Sequence, residues 1–316
     1  MKAIIATGRG LKPRLTLADI PEPAPPGPDD VLVRVHAASV NPKDWKLNYL
    51  LAAANRPFRG SRPKALFGDD LAGTVLEVGG NVTEFVRGDA VFGMDMRLRT
   101  ASLAERTRID QGCIAKKPPS LSFLEAAAMP LAAQTALQGL CKGQARAGSR
   151  VLIIGASGGV GTFAVQIAKA MGCHVTGVCS HGNIGLVREL GADHVIDYSR
   201  GDYRRTAGPF DLVFDVVSRE SPRSCAELIG QQGWFISTGG NTRAMLGTPL
   251  FRLLGKNATS MLVESRRKDL ETLSDMVKKR QLRPIIDSEF ELADADAAYR
   301  RSRSGRSRGK VVIRVV

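Results

Sequence analysis

The 316-residue sequence predicts an α/β protein that combines a small β-barrel domain with a doubly wound parallel sheet of six strands. Three observations support this fold class. Over the first ~120 residues, short apolar strands alternate with proline-rich turns, as in small β domains. From Val151 onward, strand-like and helix-like segments alternate, as in parallel β-α-β units. The first of these strands is joined to its helix by a glycine-dense turn at residues 155–161.

The N-terminal part contains strand signals separated by loops. Residues 21–28 include five prolines, which lack the backbone N–H that a helix or an inner strand requires. Period-two alternation of apolar and polar residues predicts a half-buried strand at residues 31–37. Further strands are predicted at residues 3–6, 15–17, 71–78 and 90–93.

The second part begins with a predicted helix after Ser122, whose spacing from Glu125 matches a capping box. Pro130 interrupts this helix, and helical spacing resumes over residues 131–140. The sheet strands are predicted at residues 151–154, 174–178, 194–196, 212–215, 233–237 and 259–263. The helices between them are predicted at residues 161–171, 184–190 and 222–229.

The C-terminal residues regain β character after a predicted helix at residues 268–280. The remaining elements are β signals at residues 284–286, 290–292 and 311–315, and a helix at residues 293–301. We expect the last ~30 residues to rejoin the first domain. The predicted domains are therefore residues 1–122 with 283–316, and residues 123–282.

The composition is ordinary for a globular protein, with 43% hydrophobic and 24% charged residues. No window approaches 18 continuous apolar residues, and residues 1–6 are too short an apolar run for a secretory signal. Neither a membrane span nor export is expected. The five cysteines are scattered, without a C-x-x-C pair, which favours a reducing, cytoplasmic compartment over a disulfide framework.

The formal net charge of +14 is the one unusual property of the composition. A nucleic-acid partner, attraction for a phosphorylated cofactor and a basic solvated surface would each account for it. Aromatic residues make up 5% of the chain, and no basic stretch is interleaved with them as base-stacking surfaces require. The solvated surface is the favoured interpretation, and no nucleic-acid partner is expected.

The glycine-dense turn predicts a phosphate cradle. It lies between an apolar strand and a helix, so backbone N–H groups and the helix dipole would face a bound diphosphate. Its spacing is Ala156-x-Gly158-x-x-Gly161, with alanine at the first position of G-x-G-x-x-G. The alternative is a turn that serves only tight strand–helix packing. The candidate cofactor-binding residues are Ala156, Ser157, Gly158, Gly159, Val160 and Gly161.

The residues after the second strand of the sheet favour NADPH over NADH. In the NAD form of this arrangement, an acid about 20 residues past the glycines binds the ribose 2′-OH. Here no acid occurs before Glu189. Ser180 and His181 are able to donate hydrogen bonds to a 2′-phosphate instead. Tyr198, which follows the third strand, is a further candidate.

Several segments, in this order, resemble the zinc-independent, zeta-crystallin-like quinone oxidoreductase branch of the medium-chain dehydrogenase/reductase superfamily. They are AASVNPKDW (37–45), GDDLAGTV (68–75), PLA (130–132), GASGGVG (155–161), LGADHVIDY (190–198) and GKVVI (309–313). The resemblance implies a GroES-like barrel domain, a Rossmann domain, NADPH bound between them and hydride transfer to quinones or conjugated enals and enones. It also implies a homodimer joined edge to edge through the Rossmann sheets.

The resemblance also argues against a metal. Zinc-dependent relatives carry cysteine where this chain has Asn41, and Gly-His-Glu where it has residues 68–70. Their run of four closely spaced cysteines is absent, and the four histidines are isolated. Reduction of a simple carbonyl needs a Lewis acid or a well-placed proton donor. Hydride addition to a quinone or a conjugated C=C spreads charge into an enolate that hydrogen-bond donors hold, so these substrates are favoured.

Three residues are candidates for the catalytic site. Asn41 matches the family asparagine beside the nicotinamide, although an Asn-Pro turn that closes the strand would look the same. Lys46 and Tyr49 lie on the following segment, where a donor approaches the substrate in relatives. A surface lysine and a packed tyrosine are the favoured alternatives. Asp44 is interpreted as a helix cap rather than an acid catalyst.

Further candidates for the cofactor site come from the same resemblance. Thr135 matches a position near the nicotinamide, although a helix-buried threonine is equally consistent. Gly239 and Gly240 would allow close backbone approach to the nicotinamide, or form a plain turn. Asp215 is the last residue of the fourth strand, where it would serve either as a cofactor ligand or as a cap of the strand end.

The sequence departs from the family in two places. Relatives commonly carry lysine or arginine near Gly182, so the cofactor preference is less secure than the fold. The arginine-rich residues 299–310 pass near the adenine phosphate in the family, and Arg306 is a candidate replacement for the missing cation. An exposed loop after a helix C-terminus is the favoured alternative for that segment.

Three functions are consistent with these patterns. The leading one is an NADPH-dependent reductase of quinones or enones. The second is a cofactor-binding, RNA-associated protein with little turnover, suggested by the charge of +14 and the arginine–serine segment. The third is a reductase module that works for a partner in a biosynthetic pathway.

Overall fold

A computed structural model describes residues 1–7, 14–46, 68–96, 101–205, 208–239, 251 and 257–316. The strands in these residues are β1 (Lys2–Thr7), β2 (Arg14–Asp19), β3 (Asp30–Val40), β4 (Asp70–Val78), β5 (Ala90–Met94), β6 (Arg106–Asp110), β7 (Ile114–Lys116), β8 (Arg150–Ile154), β9 (His174–Cys179), β10 (His194–Asp197), β11 (Phe210–Asp215), β12 (Ile229–Thr238), β13 (Asn257–Met261), β14 (Ile286–Glu291) and β15 (Lys310–Arg314). The α-helices are α1 (Pro42–Lys46), α2 (Phe123–Ala127), α3 (Pro130–Lys142), α4 (Gly159–Ala170), α5 (Ile184–Glu189), α6 (Arg267–Lys278) and α7 (Ala295–Arg303).

The first compact unit comprises Met1–Leu131, Ser265–Lys278 and Pro284–Val316. Its mixed sheet has the strand order β14-β15-β3-β4-β5-β7, and β6 also pairs with β3. Strands β1 and β2 form a separate antiparallel pair. Much of β3 alternates buried and less buried positions, so its valines join side chains from β4, β6 and β15 in one core.

The second compact unit comprises Ala132–Glu264 and Lys279–Arg283. Its six strands are all parallel, in the order β10-β9-β8-β11-β12-β13. The chain runs outward from β8 through β9 and β10, and then returns to β11 on the other side of β8. Ligands of such sheets bind at the carboxyl ends of the strands where the order reverses. The glycine-dense turn directly follows β8 and therefore lies at this point.

The two sheets confirm the predicted fold class, a β domain combined with a six-stranded doubly wound parallel sheet. The capping box at the start of α2 is also present. Ser122 Oγ accepts the Glu125 N–H (3.2 Å), and Glu125 Oε2 accepts the Ser122 N–H (2.8 Å). Each residue thereby satisfies a backbone donor that the helix itself leaves unpaired.

The helix predicted at residues 222–229 is wrong. That segment forms turns, and β12 already begins at Ile229. Ser221 Oγ accepts the Ser224 N–H (3.1 Å), and Ser224 Oγ accepts the Ser221 N–H (3.0 Å). Such local side-chain bonds to the backbone compete with helical bonds. At residues 284–292, the two predicted β segments are one strand, β14.

Two further properties of the described residues concern the length of the helices and the state of the cysteines. The longest helix among them, α3, has 13 residues, and no helix there is long and apolar enough to cross a membrane. All five cysteines are free thiols; Cys141 is exposed, and the other four are buried.

Candidate active site

Two of the turn glycines are required by the protein's own backbone. Gly155 has φ +90°, a left-handed conformation, and a Cβ there would lie 2.5 Å from Val217 Cγ1. A Cβ on Gly161 would lie 2.1 Å from the Gly155 carbonyl oxygen. These glycines allow β8 and α4 to pack closely, whether or not a ligand is present.

Gly158 differs from these two glycines. A Cβ there would meet only the Gly155 oxygen at 3.5 Å, an ordinary contact, and its backbone has φ −83°. Gly158 precedes the 12-residue helix α4 without any side-chain cap. The protein therefore leaves open space in front of a helix N-terminus, which fits the diphosphate of a dinucleotide.

The loop after β9 is tied to the glycine turn by Asn183. Its Nδ2 donates to Ser157 Oγ (3.0 Å) and to Ser180 Oγ (3.2 Å), so the structure brings these two predicted residues together. A Cβ on Gly182 would meet no atom within 4 Å. Sequence reasoning missed Asn183, because one asparagine in a short loop carries no pattern.

An acid does stand beside this loop, although it comes from the third strand rather than the second. His181 Nδ1 lies 3.1 Å from Asp197 Oδ2, and Arg200 Nε lies 3.5 Å from the same oxygen. The hydroxyl of Ser199 donates to Asp197 and is the main reason that the pKa of this carboxyl is lowered. Tyr198, next to it, is exposed. The partners of Asp197 offset its charge.

Asp215 caps the turn that follows β11. Its two carboxyl oxygens accept the backbone N–H groups of residues 217–220, at 2.8–3.2 Å. Burial raises the pKa of Asp215 to about 6, and the backbone N–H groups partly offset this. The cap explains its position, and its role toward a cofactor stays a prediction.

The remaining cofactor candidates of the second unit lie at separate places. Thr135 is a buried residue of α3. Gly239 follows β12, and a Cβ there would lie 2.3 Å from Cδ2 of the exposed Leu262. Gly240 lies outside the described residues. The roles of these residues toward a cofactor stay predictions.

In the first unit, Asn41 belongs to a buried network between β3, β4 and β15. Lys310 Nζ donates to Asn41 Oδ1 (2.5 Å), Asp70 Oδ2 (3.2 Å) and the Val40 carbonyl (3.4 Å). Asn41 Nδ2 (2.8 Å) and Ser39 Oγ (2.5 Å) donate to the same Asp70 oxygen. These contacts fix the orientation of the Asn41 amide, and one of its N–H bonds has no partner among the residues that the structure describes.

Asp44 and Asp69 lie next to this network. Asp44 Oδ2 accepts the Asn41 N–H (2.7 Å), which is the cap that the sequence predicts, and Lys43 Nζ donates to Asp69 Oδ2 (2.7 Å). Burial raises the pKa of Asp69, and it raises the pKa of Asp44 well above the ordinary value, with the charge of Asp69 adding to the effect. Buried carboxyl groups therefore surround the backbone of Asn41.

Sequence reasoning missed Asp70 and Lys310 as site residues. Each is a charged residue that begins a mostly apolar strand, which is the pattern that could have indicated them. Asp70 begins β4 (DLAGTV), and Lys310 begins β15 (KVVIR). Lys46 ends α1, and its side chain, like Tyr49, lies outside the described residues.

Arg306 lies exposed on a loop that Asp287 anchors. Arg301 donates two hydrogen bonds to Asp287 (2.7 and 2.6 Å), and the Arg308 N–H donates a third (2.7 Å). The Arg306 carbonyl accepts from Arg301 Nη2 (3.2 Å). The loop is therefore fixed, while the Arg306 guanidinium remains a candidate for an anionic ligand.

No metal-binding cluster is found in the part of the chain that the structure describes. No three histidine, cysteine, aspartate or glutamate side chains are grouped there so as to hold an ion. Asp44, Asp69 and Asp70 do not form such a group, although they lie close together.

Two family models match the chain. Residues 27–124 match the alcohol dehydrogenase GroES-like domain, and residues 190–313 match the zinc-binding dehydrogenase model. The chain is similar over 100% of its length to the solved quinone oxidoreductase of Coxiella burnetii, with a TM-score of 0.88, 30% identity and 99% of that chain covered.

Curated relatives extend along almost the whole chain. It is 36% identical to a zinc-type alcohol dehydrogenase-like protein of Schizosaccharomyces pombe, over 93% of this chain and 90% of that protein. It is 34% identical to the Aspergillus terreus trans-enoyl reductase pgmF, over 92% of this chain and 87% of that protein. It is 32% identical to the human mitochondrial NAD(P)H oxidoreductase RTN4IP1, over 92% of this chain and 82% of that protein.

None of these relatives is described as binding RNA, so the comparisons do not support the RNA-associated alternative. The family models, the quinone oxidoreductase fold and the NAD(P)H oxidoreductase relatives agree with the geometry of the glycine turn. The chain therefore belongs to the quinone oxidoreductase branch of the medium-chain dehydrogenase/reductase superfamily, and it is an oxidoreductase that uses a nicotinamide cofactor.

Proposed function

We propose that this protein is an NADPH-dependent, zinc-independent reductase of quinones or α,β-unsaturated carbonyl compounds. The observation that carries this proposal is the Asn41 amide, which Lys310 and Asp70 hold and which has one N–H without a partner in the described part of the chain. Where zinc-dependent relatives carry a thiolate ligand, this chain presents a neutral hydrogen-bond donor. The quinone oxidoreductase and trans-enoyl reductase relatives support these substrate classes.

In this proposal, different residues of the chain bind the cofactor and contact the substrate. A bound nicotinamide dinucleotide supplies the hydride. The N-terminus of α4 and the open face of Gly158 hold its diphosphate. The spare N–H of Asn41 is directed at the substrate oxygen that gains charge, as oxyanion donors are. Lys310 holds that amide in one orientation before the substrate arrives.

Support for NADPH comes from the end of β9. Ser180 and His181 stand there without a carboxylate of their own strand. The acid that neighbours His181 in the described residues, Asp197, already contacts His181, Arg200 and Ser199. A 2′-phosphate would therefore meet donors rather than an unpaired negative charge.

A homodimer is proposed through the edge of the parallel sheet. In the described residues, β13 pairs only with β12, so its other edge is available for a second copy. Leu262, directly after β13, is 73% exposed, which is high for a large apolar side chain. Edge strands are normally protected, and pairing with a partner's edge protects them.

Cofactor oxidation tests this function. Purified protein is mixed with NADPH or NADH and with a quinone, a conjugated enal or a simple ketone, and the fall in reduced-cofactor absorbance is followed. We expect faster oxidation with NADPH than with NADH, turnover of the quinone or the enal, and no loss of rate with a chelator. Indifference to both cofactors, or inactivation by the chelator, would contradict the proposal.

A further inference from the structure

Three buried aspartates and two lysines form a cluster around the start of α1, which we call the carboxyl cluster. Its members are Asp44, Asp69, Asp70, Lys43 and Lys310. Lys310 Nζ lies 3.2 Å from Asp70, and Lys43 Nζ lies 2.7 Å from Asp69. Each lysine therefore neutralises one carboxylate, and the third carboxyl group, that of Asp44, has no cation of its own in the described residues.

The contacts of Asp44 are incomplete for an ionised carboxylate. Its side chain is 0% exposed. Oδ2 accepts the backbone N–H of Asn41 (2.7 Å), but Oδ1 has no hydrogen-bond partner among the residues that the structure describes. The Asp44 and Asp69 carboxyl groups are neighbours, because a hydrogen bond from the Asp44 side chain lowers the pKa of Asp69 while the charge of Asp69 raises the pKa of Asp44. Two adjacent carboxylate oxygens repel, and a buried charge without a partner is costly.

We propose that Asp44 and Asp69 share one proton, with Asp44 as the carboxylic acid that donates to the Asp69 carboxylate. One proton gives Oδ1 of Asp44 the partner that it otherwise lacks. It also makes the carboxyl cluster neutral, because two carboxylates then face two ammonium groups. Burial and the neighbouring charge of Asp69 both raise the pKa of Asp44, in agreement with this assignment.

The shared proton gives Asp44 a positioning role for Asn41. Asp44 Oδ2 accepts the Asn41 N–H, and the Asp44 N–H donates to the Asn41 carbonyl (3.0 Å). If the proton leaves for solvent at high pH, a buried negative charge without a cation remains beside this turn. We expect the turn to loosen and the Asn41 amide to lose its orientation. This consequence rests on the proposed function, whereas the shared proton does not.

Infrared spectroscopy tests the proton directly, without any substrate. A protonated carboxyl group shows a C=O stretching band that is separate from carboxylate bands and shifts in deuterated water. We expect this band in the wild-type protein at neutral pH and its loss in the isosteric variant Asp44→Asn. The control is Asp193→Asn, which removes an ionised carboxylate paired with Lys169 and leaves the band in place.

The absence of the band from the wild type, or its persistence in Asp44→Asn, would overturn the shared proton. Titration of the wild-type band with pH needs no variant, so the test holds even if Asp44→Asn folds poorly. A band that already disappears at the ordinary pKa of aspartate would also contradict the assignment.

The pH profile of the reaction tests the positioning role. Above the apparent pKa of the pair, wild-type kcat/KM is expected to fall about tenfold per pH unit. Asp44→Asn donates an N–H to Asp69 and cannot lose it at these pH values, so its profile is expected to stay flat there. If the carboxylic acid band is present but no substrate is turned over, the proposed function is refuted and the shared proton is not. A parallel alkaline fall in the variant would refute the positioning role.

Discussion

At the scale of single residues, the turn glycines serve two different purposes. Gly161 gives the backbone room to pack, whereas the space beside Gly158 is open, and we propose that the cofactor diphosphate binds there. We expect Gly158→Ala to keep the melting temperature near that of the wild type and to weaken NADPH binding at least tenfold. Gly161→Ala is the matched variant and should lower the melting temperature, because its Cβ would meet backbone atoms at 2.1–2.7 Å.

Thermal unfolding and cofactor titration by fluorescence separate these two effects. Equal loss of stability in both variants would mean that the turn serves only packing, which is the alternative that the sequence leaves open.

Gly182 is the residue at which cofactor preference is expected to be adjustable. The space around its Cα is open, so a long side chain fits without strain from neighbouring atoms. Gly182→Arg should strengthen NADPH binding by about tenfold, the size of one charge-assisted hydrogen bond, and leave NADH binding unchanged. Dissociation constants for both cofactors check this. Equal changes for NADPH and NADH would show that the 2′-phosphate lies elsewhere.

Asp215 is expected to make stability depend on pH. Its carboxyl has an ordinary pKa of 3.8 when unfolded and a pKa of about 6 when folded. Between these values the native state holds a proton that the unfolded state has lost, so stability falls as pH rises, by about 1.4 kcal/mol per unit. Asp215→Asn should abolish this slope, although the loss of N–H acceptors lowers its stability overall.

Urea unfolding at pH 4, 5, 6 and 7 measures the effect of Asp215. Asp275→Asn, at an exposed carboxylate of α6, is the control and should keep the wild-type slope. A constant difference in stability between wild type and Asp215→Asn at every pH would contradict the prediction.

At the scale of elements, the Lys310 network joins three strands of the first unit. Lys310→Met would leave Asp70 buried without a cation, which costs about 3–5 kcal/mol. Adding Asp70→Asn to this variant removes the uncompensated charge and should restore part of the loss. The free energy of unfolding in urea measures both variants. A double mutant less stable than Lys310→Met would contradict this account.

Most of the elements could be predicted from the sequence, because their signals are local. Period-two alternation gave β3, and the capping-box spacing gave the start of α2. The segment at residues 222–229 could not be predicted, because helical spacing was overridden by paired serine side chains. The contacts of Asn41 could not be predicted either, since Asp70 and Lys310 are far from it in sequence.

At the scale of the whole molecule, the oligomeric state depends on the edge of the parallel sheet. Leu262→Glu places a charge beside the edge of β13 that has no partner strand in the described residues, and it should convert a dimer into a monomer. The control is Val86→Glu at another exposed apolar residue, 61% exposed, in the first unit. Sedimentation velocity distinguishes the two states. A monomeric wild type, or a dimer that both variants keep, would contradict the proposed interface.

The buried pair of Lys310 and Asp70 also constrains how the protein is made on the ribosome. The two partners are 240 residues apart, and β15 joins β3 only after the whole second unit has been synthesised. Translation emits ~5–20 residues per second, so β3 and β4 wait many seconds beside an uncompensated aspartate. We expect the nascent N-terminal strands to need a holding chaperone until the last residues emerge.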